Sequence, residues 1–467
     1  MQIVDVVPLT KVNDSYTFFS RKLVLPGSLV MMPFGRRQAR GFVLKVKELN
    51  KLEIRKGLPY PLRGIKRVLV LKPQLHQLQI DLATWISDYY VEPLGLVLKA
   101  MIRKGVNKKV MMLRPIPGLR DALFNFDERL EKIILEDEHS EVFKSLSSPR
   151  FHARDVALKI SQLTGAELIV KSHSPTLEAF KYLDLKASVK KISRKIIDMK
   201  GSGDVLSSEL IKAIKRSKST LLIINRLGSS TIVLCRDCGF VKKCSNCEVP
   251  MVYHQSHNVL LCHHCGLKNP PLSTCEVCKG LNLRYLGKGV EKVKSEVKKL
   301  GLKNVKVSTL KEKLPEVDLV GVVSLDNVLN LPDFRSSERV FRGLVKLNNL
   351  PKRLIIQTYH PKHYVFNLDK FYRNELKIRK LLEYPPYTSL IKLTYKNRNP
   401  YRAKSEAVRV ASMLPPFLGP APAFIPKERG FYRWNLVYKS TPNTKKILRD
   451  IKLPNGWVLD VDPTDLL

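Results

Sequence analysis

All eight cysteines of this 467-residue chain lie between Cys235 and Cys278. They form four C-x2-C pairs: Cys235/Cys238, Cys244/Cys247, Cys262/Cys265 and Cys275/Cys278. A C-x2-C turn places two thiolates on one side of a tight loop, where backbone N–H groups can donate to the sulfurs. Two such turns complete a tetrahedral S4 shell around Zn(II). Eight thiols therefore predict two closed structural sites and two zinc ions. Disulfides are a competing reading, but no secretory signal precedes the segment, which predicts a reducing compartment. A redox C-x2-C would not need four copies. Spacing alone permits adjacent, interleaved or nested pairing of the four turns. The intervals of five, fourteen and nine residues favour nesting. In that arrangement the middle interval, EVPMVYHQSHNVLL, forms a β-hairpin that folds the two inner pairs together, and the outer pairs close over them. His263 and His264, inside the third turn, read as surface residues because eight thiols already suffice.

Charge constrains the partner. Lys and Arg number 82 against 42 acids, a formal net charge of +40. An excess of this size, spread along the chain rather than confined to a tail, predicts a basic surface that meets a polyanion. No apolar run approaches the ~20 residues of a membrane span. From Met1 through Arg114 there are 21 basic and 7 acidic residues, a net of +14. MQIVDVVPL, YTFFSRKLVL, SLVMMPFG and ARGFVLKVKEL read as short strands between turn residues, which suggests a small β-barrel or sandwich. Arg36, Arg37 and Arg40 are read as one loop beside Gly35, suited to phosphate contacts. Leu82 to Met101 is helical in pattern, with a break at Pro93-Leu94-Gly95.

The MPFGRRQ loop and the following WxxDYYxxPLGxVL segment resemble the N-terminal domain of the primosomal protein N′ (PriA) family, the bacterial replication-restart helicases. That resemblance implies a domain that binds the 3′ end of a nascent strand at a fork. The family's pocket would fall on Tyr16, Thr17, Gly35 and Lys66, with Thr17 standing where the family commonly has Asp. The stretch LLIINRLGSSTIVLCRDCGFVKKCSNC resembles the family's second helicase lobe, into which its two-zinc region is inserted. In the family the outer two knuckles share one zinc and the inner two share the other. NLPDFRSSER, LIIQTYHP, EYPPYTSLIKL, LGPAPAFIPKERGFYRWNLVYKS and WVLDVDP also match, so the resemblance covers nearly the whole chain.

The middle of the chain departs from the family. No G-x-x-x-x-G-K-[ST] loop occurs. Such a loop cradles phosphates with its amides, Lys and Ser/Thr. MIRKGVNKKVMMLRPIPG passes almost directly into EKIILEDEHS, which resembles the strand ending in the family's DEEH box. Glu136 and Asp137 stand where the family has Asp then Glu, a degenerate nucleotide site. They lie in an acidic window, Asp121 to Glu141, with eight acids and two basic residues. LVKLNNLPKR replaces the family's arginine-bearing motif. Phosphoryl transfer is mostly positioning and electrostatic stabilisation, so these losses predict a chain that neither uses ATP and Mg(II) nor hydrolyses ATP. Near the C-terminus Arg429, Arg433 and Trp434 belong to a basic-aromatic cluster suited to unpaired bases; a core Trp with solvated basic neighbours is the alternative.

The expected fold is multidomain α/β. A β-rich DNA 3′-end-binding-like domain spans 1–110 and a remnant of the first helicase lobe spans 120–190. A second-lobe-like domain spans 191–380 with the zinc-binding insert at 235–278, and a C-terminal α+β DNA-binding domain spans 384–467. The expected role is a zinc-bearing, DNA-binding primosome protein that recognises stalled or branched forks and helps load the replicative helicase. Its expected partners are forked DNA, primosome and helicase-loading proteins, and single-stranded-DNA-binding protein. Its expected location is the bacterial cytoplasm, at the nucleoid and off the membrane. The alternatives are an active ATP-dependent 3′-to-5′ helicase with a nonstandard nucleotide site, and a zinc-ribbon protein that binds RNA.

Overall fold

Period-two alternation builds the first sheet. In a computed structural model of the chain, all residues are described except 13, 49–61, 103–108, 117–118, 186–191, 203, 225–231, 236, 239, 246–249, 255–257, 263–266, 287–289, 311, 313, 452 and 467. Strands β1 (Gln2–Pro8), β2 (Tyr16–Ser20), β3 (Leu29–Phe34), β4 (Arg37–Glu48) and β5 (Arg67–Val70) form an antiparallel sheet in the order β2-β1-β4-β3-β5. Val4, Val6, Phe18, Val30, Met32 and Val43 meet in its core. Asp5 and Thr17 alternate with core residues and so face the other side of the sheet. Two helices follow, α1 (Gln77–Tyr90) and α2 (Leu94–Met101). The helix starts earlier than Leu82, at Gln77; its N-cap is His76, not one of the usual capping residues, and the Gln79 side chain accepts from the His76 N–H at 3.2 Å. It stops where Val91 turns left-handed (φ 55°), just ahead of Glu92-Pro93, a pair that disfavours helix.

A three-stranded parallel sheet comes next, from β6 (Val110–Leu113), α3 (Leu119–Phe124), β7 (Lys132–Glu136), α4 (Ala153–Thr164) and β8 (Glu167–Lys171), in the order β6-β7-β8. The expected β-rich domain, 1–110, ends on Val110. The strand instead aligns Val110 with Lys132 and Leu113 with Leu135, because VMML is too short to reveal its partner from pattern alone. Met111, Leu113, Ile133 and Leu135 are buried on the helix-covered face.

These two sheets belong to one unit, Met1–Pro175, together with Thr441–Lys452 and Asp460–Asp462. Within it, the buried Lys144 ammonium pairs with Asp460 at 2.7 Å and donates to the carbonyls of Val461 and Asp462 at 2.5 and 3.0 Å. Tyr89 Oη donates to Asp462 at 2.8 Å, and Arg449 pairs with Asp88 at 2.9 Å. A buried ammonium is tolerated only with such a full set of acceptors.

The second unit starts with α5 (Leu177–Tyr182), β9 (Ser193–Asp198), α6 (Ser208–Lys215) and β10 (Thr220–Ile224). The cysteine-rich segment then contributes β11 (Ile232–Cys235), β12 (Val252–His254), β13 (Val259–Leu261), β14 (Lys268–Asn269) and β15 (Leu283–Leu286), ordered β14-β13-β12-β11-β15. The chain continues through α7 (Val290–Lys299), β16 (Val305–Ser308), β17 (Val317–Ser324), α8 (Asp326–Leu329), α9 (Ser336–Asn348), β18 (Pro351–Thr358) and α10 (Phe371–Leu382). Strands β16-β10-β17-β18-β9 form a parallel sheet, so the cysteine-rich segment is an insertion between two strand positions of one lobe. Every residue of β10 is buried, as a parallel strand covered on both faces requires. Leu221, Ile223 and Val320 pack on one side with Phe341 and Phe371, and Leu222, Ile224 and Leu319 on the other with Leu210 and Val293.

The C-terminal part adds β19 (Leu390–Asn397), α11 (Pro400–Met413), β20 (Leu418–Glu428), β21 (Phe431–Lys439), α12 (Pro442–Asp450) and β22 (Trp457–Val461). Its sheet runs β20-β21-β19-β22, with α11 packed on it through Ala403, Ala407 and Val410, so this part is α+β. The chain as a whole is multidomain α/β. No described helix is long and apolar enough to cross a membrane.

Candidate metal centre and nucleic-acid surfaces

The first and fourth cysteine turns converge. The four Sγ atoms of Cys235, Cys238, Cys275 and Cys278 lie within 4.8 Å of one another. Cys235 and Cys278 are 3.6 Å apart, as are Cys238 and Cys275. A tetrahedron with Zn–S near 2.3 Å has an S···S edge of about 3.8 Å, so the four sulfurs fit a zinc ion. Both turns close in the same way: the Cys235 N–H donates to the Phe240 carbonyl at 2.8 Å, and the Cys275 N–H to the Gly280 carbonyl at 2.9 Å. A Cβ on Gly280 would sit 3.3 Å from the Cys278 sulfur and 2.4 Å from a carboxylate oxygen of the exposed Asp237, which would have to turn aside. Lys242 pairs with Glu276 at 2.5 Å and ties the two turns together from outside.

Backbone amides already favour thiolate at this centre. Burial raises the Cys275 thiol, but the N–H groups of Cys278 and Val277 and the Cys238 thiol outweigh it and bring it down to about 7. The Gly280 N–H lowers Cys278, yet its neighbouring thiols and burial push it up to about 12. Four sulfurs this close hold protons unequally until a cation replaces them. Among the described residues, this is the one set of three or more Cys, His, Asp or Glu side chains close enough to hold a metal.

Of the inner turns, Cys244 and Cys262 are buried with Val233, Met251 and Leu260. Cys247, Cys265, His263 and His264 lie outside the described residues. The hairpin expected between the inner turns is present, with Val252 opposite Leu261 and His254 opposite Val259. The Cys262 N–H donates to the Leu267 carbonyl at 2.8 Å, the same five-residue closure seen at Cys235 and Cys275.

In the N-terminal sheet, a cleft of about 430 Å³ is lined by Tyr16, Thr17, Phe18, Phe34, Gly35 and Arg63, among others. Tyr16 and Phe34 meet edge to face at 5.8 Å and form one wall. Gly35 and Arg36 make the two-residue turn between β3 and β4, with Gly35 left-handed at φ 59° and Phe34 opposite Arg37. Tyr16, Thr17 and Gly35, chosen from sequence, come together. Lys66 does not line the cleft; its backbone N–H donates to Met31. Arg63 lines the cleft instead, on a segment held where the Phe19 N–H donates to its carbonyl at 3.1 Å. The sequence signal for Arg63 was a basic residue beside Gly64. Arg36, Arg37 and Arg40 do not share one loop: Arg36 is in the turn, and Arg37 and Arg40 are in β4. Three residues apart on a strand, Arg37 and Arg40 point to opposite faces.

In the C-terminal sheet, β20 and β21 are joined by Arg429-Gly430, both left-handed (φ 49° and 83°), with Glu428 opposite Phe431. This puts Arg429 at a hairpin tip. Arg433 is paired with Glu428 at 2.7 Å, so its charge is partly spent within the protein. Lys427 lies 4.9 Å from the Tyr432 ring centre, and its ammonium donates to the Ser245 carbonyl of the cysteine-rich segment at 3.2 Å. Trp434 is half-buried, between Tyr395 on β19 and Pro422 on β20.

One acid of the expected nucleotide site, Glu136, is engaged by an arginine of the chain itself. Glu136 ends β7 and accepts from Arg114 Nε at 2.6 Å. Asp137 is left-handed (φ 51°), with its N–H donating to the Lys171 carbonyl. The adjacent Glu138 is buried and lies 3.9 Å from Arg154.

Comparison with known proteins adds three family models. Residues 4–103 match the 3′DNA-binding domain model, residues 244–270 the PriA DNA helicase Cys-rich region domain, and residues 380–464 the primosomal protein N C-terminal domain. The chain is 30% identical to replication restart protein PriA of Bacillus subtilis, over 73% of this chain and 52% of that one. It is 29% identical to the Borreliella burgdorferi protein of the same name, over 69% and 59%. It is 26% identical to that of Rickettsia felis, over 86% and 75%. The chain thus spans little more than half the length of the first two relatives.

Proposed function

Because the chain belongs to the PriA family of replication restart proteins, we propose that it binds forked or branched DNA at stalled replication forks and helps load the replicative helicase, without hydrolysing ATP. The observation that carries this reading is the cleft of Tyr16, Thr17, Gly35 and Arg63, inside the residues that match a 3′DNA-binding domain. Its aromatic wall suits a terminal base, its glycine turn permits close backbone approach, and Arg63 can meet a phosphate. Arg36, Arg37, Arg40 and Lys66 lie around the same sheet, and Arg429 with Trp434 supplies a second contact in the C-terminal part. In this reading the cysteine-rich segment holds two zinc ions: Cys235, Cys238, Cys275 and Cys278 bind one, and Cys244, Cys247, Cys262 and Cys265 the other. The partners are primosome and helicase-loading proteins and single-stranded-DNA-binding protein, at the nucleoid.

Two observations support a scaffold rather than a motor. The sequence has no phosphate-cradling G-x-x-x-x-G-K-[ST] loop, and Glu136, where a Mg(II)-associated carboxylate would stand, is neutralised by Arg114. The test is a titration of labelled forked DNA at several salt concentrations. With roughly six phosphates neutralised, log K should fall with log salt at a slope of about −5. No detectable binding at low salt would overturn the reading.

A further inference from the structure

Among the described residues, the three-stranded parallel sheet of the first unit has helices on one face only. Helices α3 and α4 pack on the face that buries Met111, Leu113, Ile133 and Leu135. Parallel sheets occur almost only with both faces covered. Alternate residues of a strand point the same way, so the register sets out the other face as three rows. Its middle row is Met112, Ile134 and Ile169, apolar across all three strands. On one side of that row stand Val110, Lys132 and Glu167, and on the other Arg114, Glu136 and Lys171. Val110 and Met112 are 41% and 42% exposed, and Ile134 and Ile169 are half-buried.

The charges have opposite signs about the apolar row. On β7, Lys132 stands two residues before Ile134 and Glu136 two after it. On β8 the signs are reversed, with Glu167 before Ile169 and Lys171 after it. Lys132 pairs with Glu167 at 3.3 Å and Arg114 with Glu136 at 2.6 Å, so these charges are already held in place on the sheet. A half-turn about an axis that runs across the strands, along the middle row, exchanges plus for minus. Two copies docked face to face by that half-turn set Lys132 of one against Glu136 of the other, and Glu167 against Lys171, each pair occurring twice. The apolar row then meets itself. A half-turn about an axis along the strands would set Lys132 against Lys132 and Glu136 against Glu136, a like-charge penalty that selects the first orientation. The face is also nearly neutral, with Arg114, Lys132 and Lys171 against two acids, in a chain of 82 basic and 42 acidic residues. A surface built for phosphates would keep the basic excess.

We infer that this sheet face docks on the same face of a second copy of the chain, as two sheets stacked about 10 Å apart across a two-fold axis. The face spans roughly 14 by 17 Å, from strands ~4.8 Å apart and ~3.3 Å per residue. A pair therefore buries far less than the ~1,200–2,000 Å² of a stable complex, and the dimer is transient, with a Kd of roughly 10–100 μM.

The experiment is sedimentation velocity on the full chain without DNA, from about 1 to 300 μM. Salt near 0.3 M shortens the screening length to about 6 Å, which damps the mutual repulsion of two chains of net charge +40. The parent should show a reversible monomer–dimer equilibrium. Glu167→Lys alone and Lys171→Glu alone each oppose like charges at two symmetric places and should weaken self-association roughly tenfold. An equimolar mixture of these two variants should dimerise as the parent does, because each supplies the sign the other lacks. Met112→Lys sets two ammonium groups against each other on the axis and should leave only monomer. These are exposed positions, and unchanged thermal midpoints show that the variants are folded. A parent that stays monomeric throughout overturns the inference, and so does a dimer that none of the three substitutions weakens. Loss in both single variants without recovery in the mixture overturns the two-fold docking. Monomers in which Met112→Lys tightens binding to linear duplex would assign the face to DNA and overturn the inference as well.

Discussion

Replacing Cys275 with Ser removes one of four sulfurs that already sit at near-tetrahedral spacing, 3.6 Å from Cys238 and within 4.8 Å of the other two. Structural zinc in small sulfur sites contributes about 10–16 kcal/mol, and an even share per ligand is about 2.5–4 kcal/mol. That converts to roughly 10²–10³-fold weaker zinc retention at the outer site. Cys275 is fully buried, and its N–H holds the fourth turn closed on Gly280, so the loss should loosen that turn as well. The assay is zinc content by atomic emission together with release to a chromogenic chelator. The unsubstituted chain should contain two zinc ions per molecule. Cys275→Ser should lose one of them to the chelator at a concentration that the parent resists, while the inner zinc stays. Cys244→Ser should do the reverse. A Cys275→Ser protein that keeps two zinc ions with unchanged resistance would refute the assignment of the outer turns to one metal.

The other predictions concern the scaffold and the DNA surfaces. ATP turnover should stay at background with or without forked DNA; DNA-stimulated turnover in the ordinary enzyme range of ~1–10³ per second would contradict the scaffold reading. Lys144→Met should destabilise the Asp460–Asp462 segment by about 3 kcal/mol, since it strips a buried cation from its acceptors. Hydrogen exchange at those amides checks this, with the exposed Lys132→Met as a control expected within about 0.5 kcal/mol. Arg429→Ala at the hairpin tip should weaken binding to all DNA sequences alike and reduce the salt slope by about 1. Arg433→Ala should reduce it less, because Glu428 already holds that guanidinium; an equal loss would show that the ion pair opens on DNA.

What was legible in the sequence was local or strongly periodic. Three of the four cysteine turns, those at Cys235, Cys262 and Cys275, close over five residues, and the hairpin between the inner pairs lies wholly within fourteen residues. The β10 run TLLII and the alternation of Val4 and Val6 with Asp5 likewise carry their burial in their own pattern. What was missed depends on long-range pairing or strand register. Arg114 neutralises Glu136 only because β6 and β7 lie side by side, and four residues of β6 could not announce that neighbour. RRQAR reads as a loop in sequence, but a two-residue turn starts the strand at once and sends Arg37 and Arg40 to opposite faces. Arg63 reaches the cleft through a bridge between Phe19 and Gly64, which no local pattern encodes. Lys144 meets the C-terminal segment across more than 300 residues of sequence, with |i−j| of 317 to Val461. The departure at Thr17 was visible as a substitution, but its partner Asp5 required the β1–β2 register.

The most direct measurement compares forked DNA with linear duplex of equal length at physiological salt. Backbone contacts carry affinity without sequence information, so a preference for a branch must come from engaging two diverging arms at once. Tighter binding of the fork, independent of base sequence and lost when either the N-terminal β-rich domain or the C-terminal α+β domain is deleted, is the predicted result. Equal affinity of the intact chain for fork and linear duplex would contradict fork recognition.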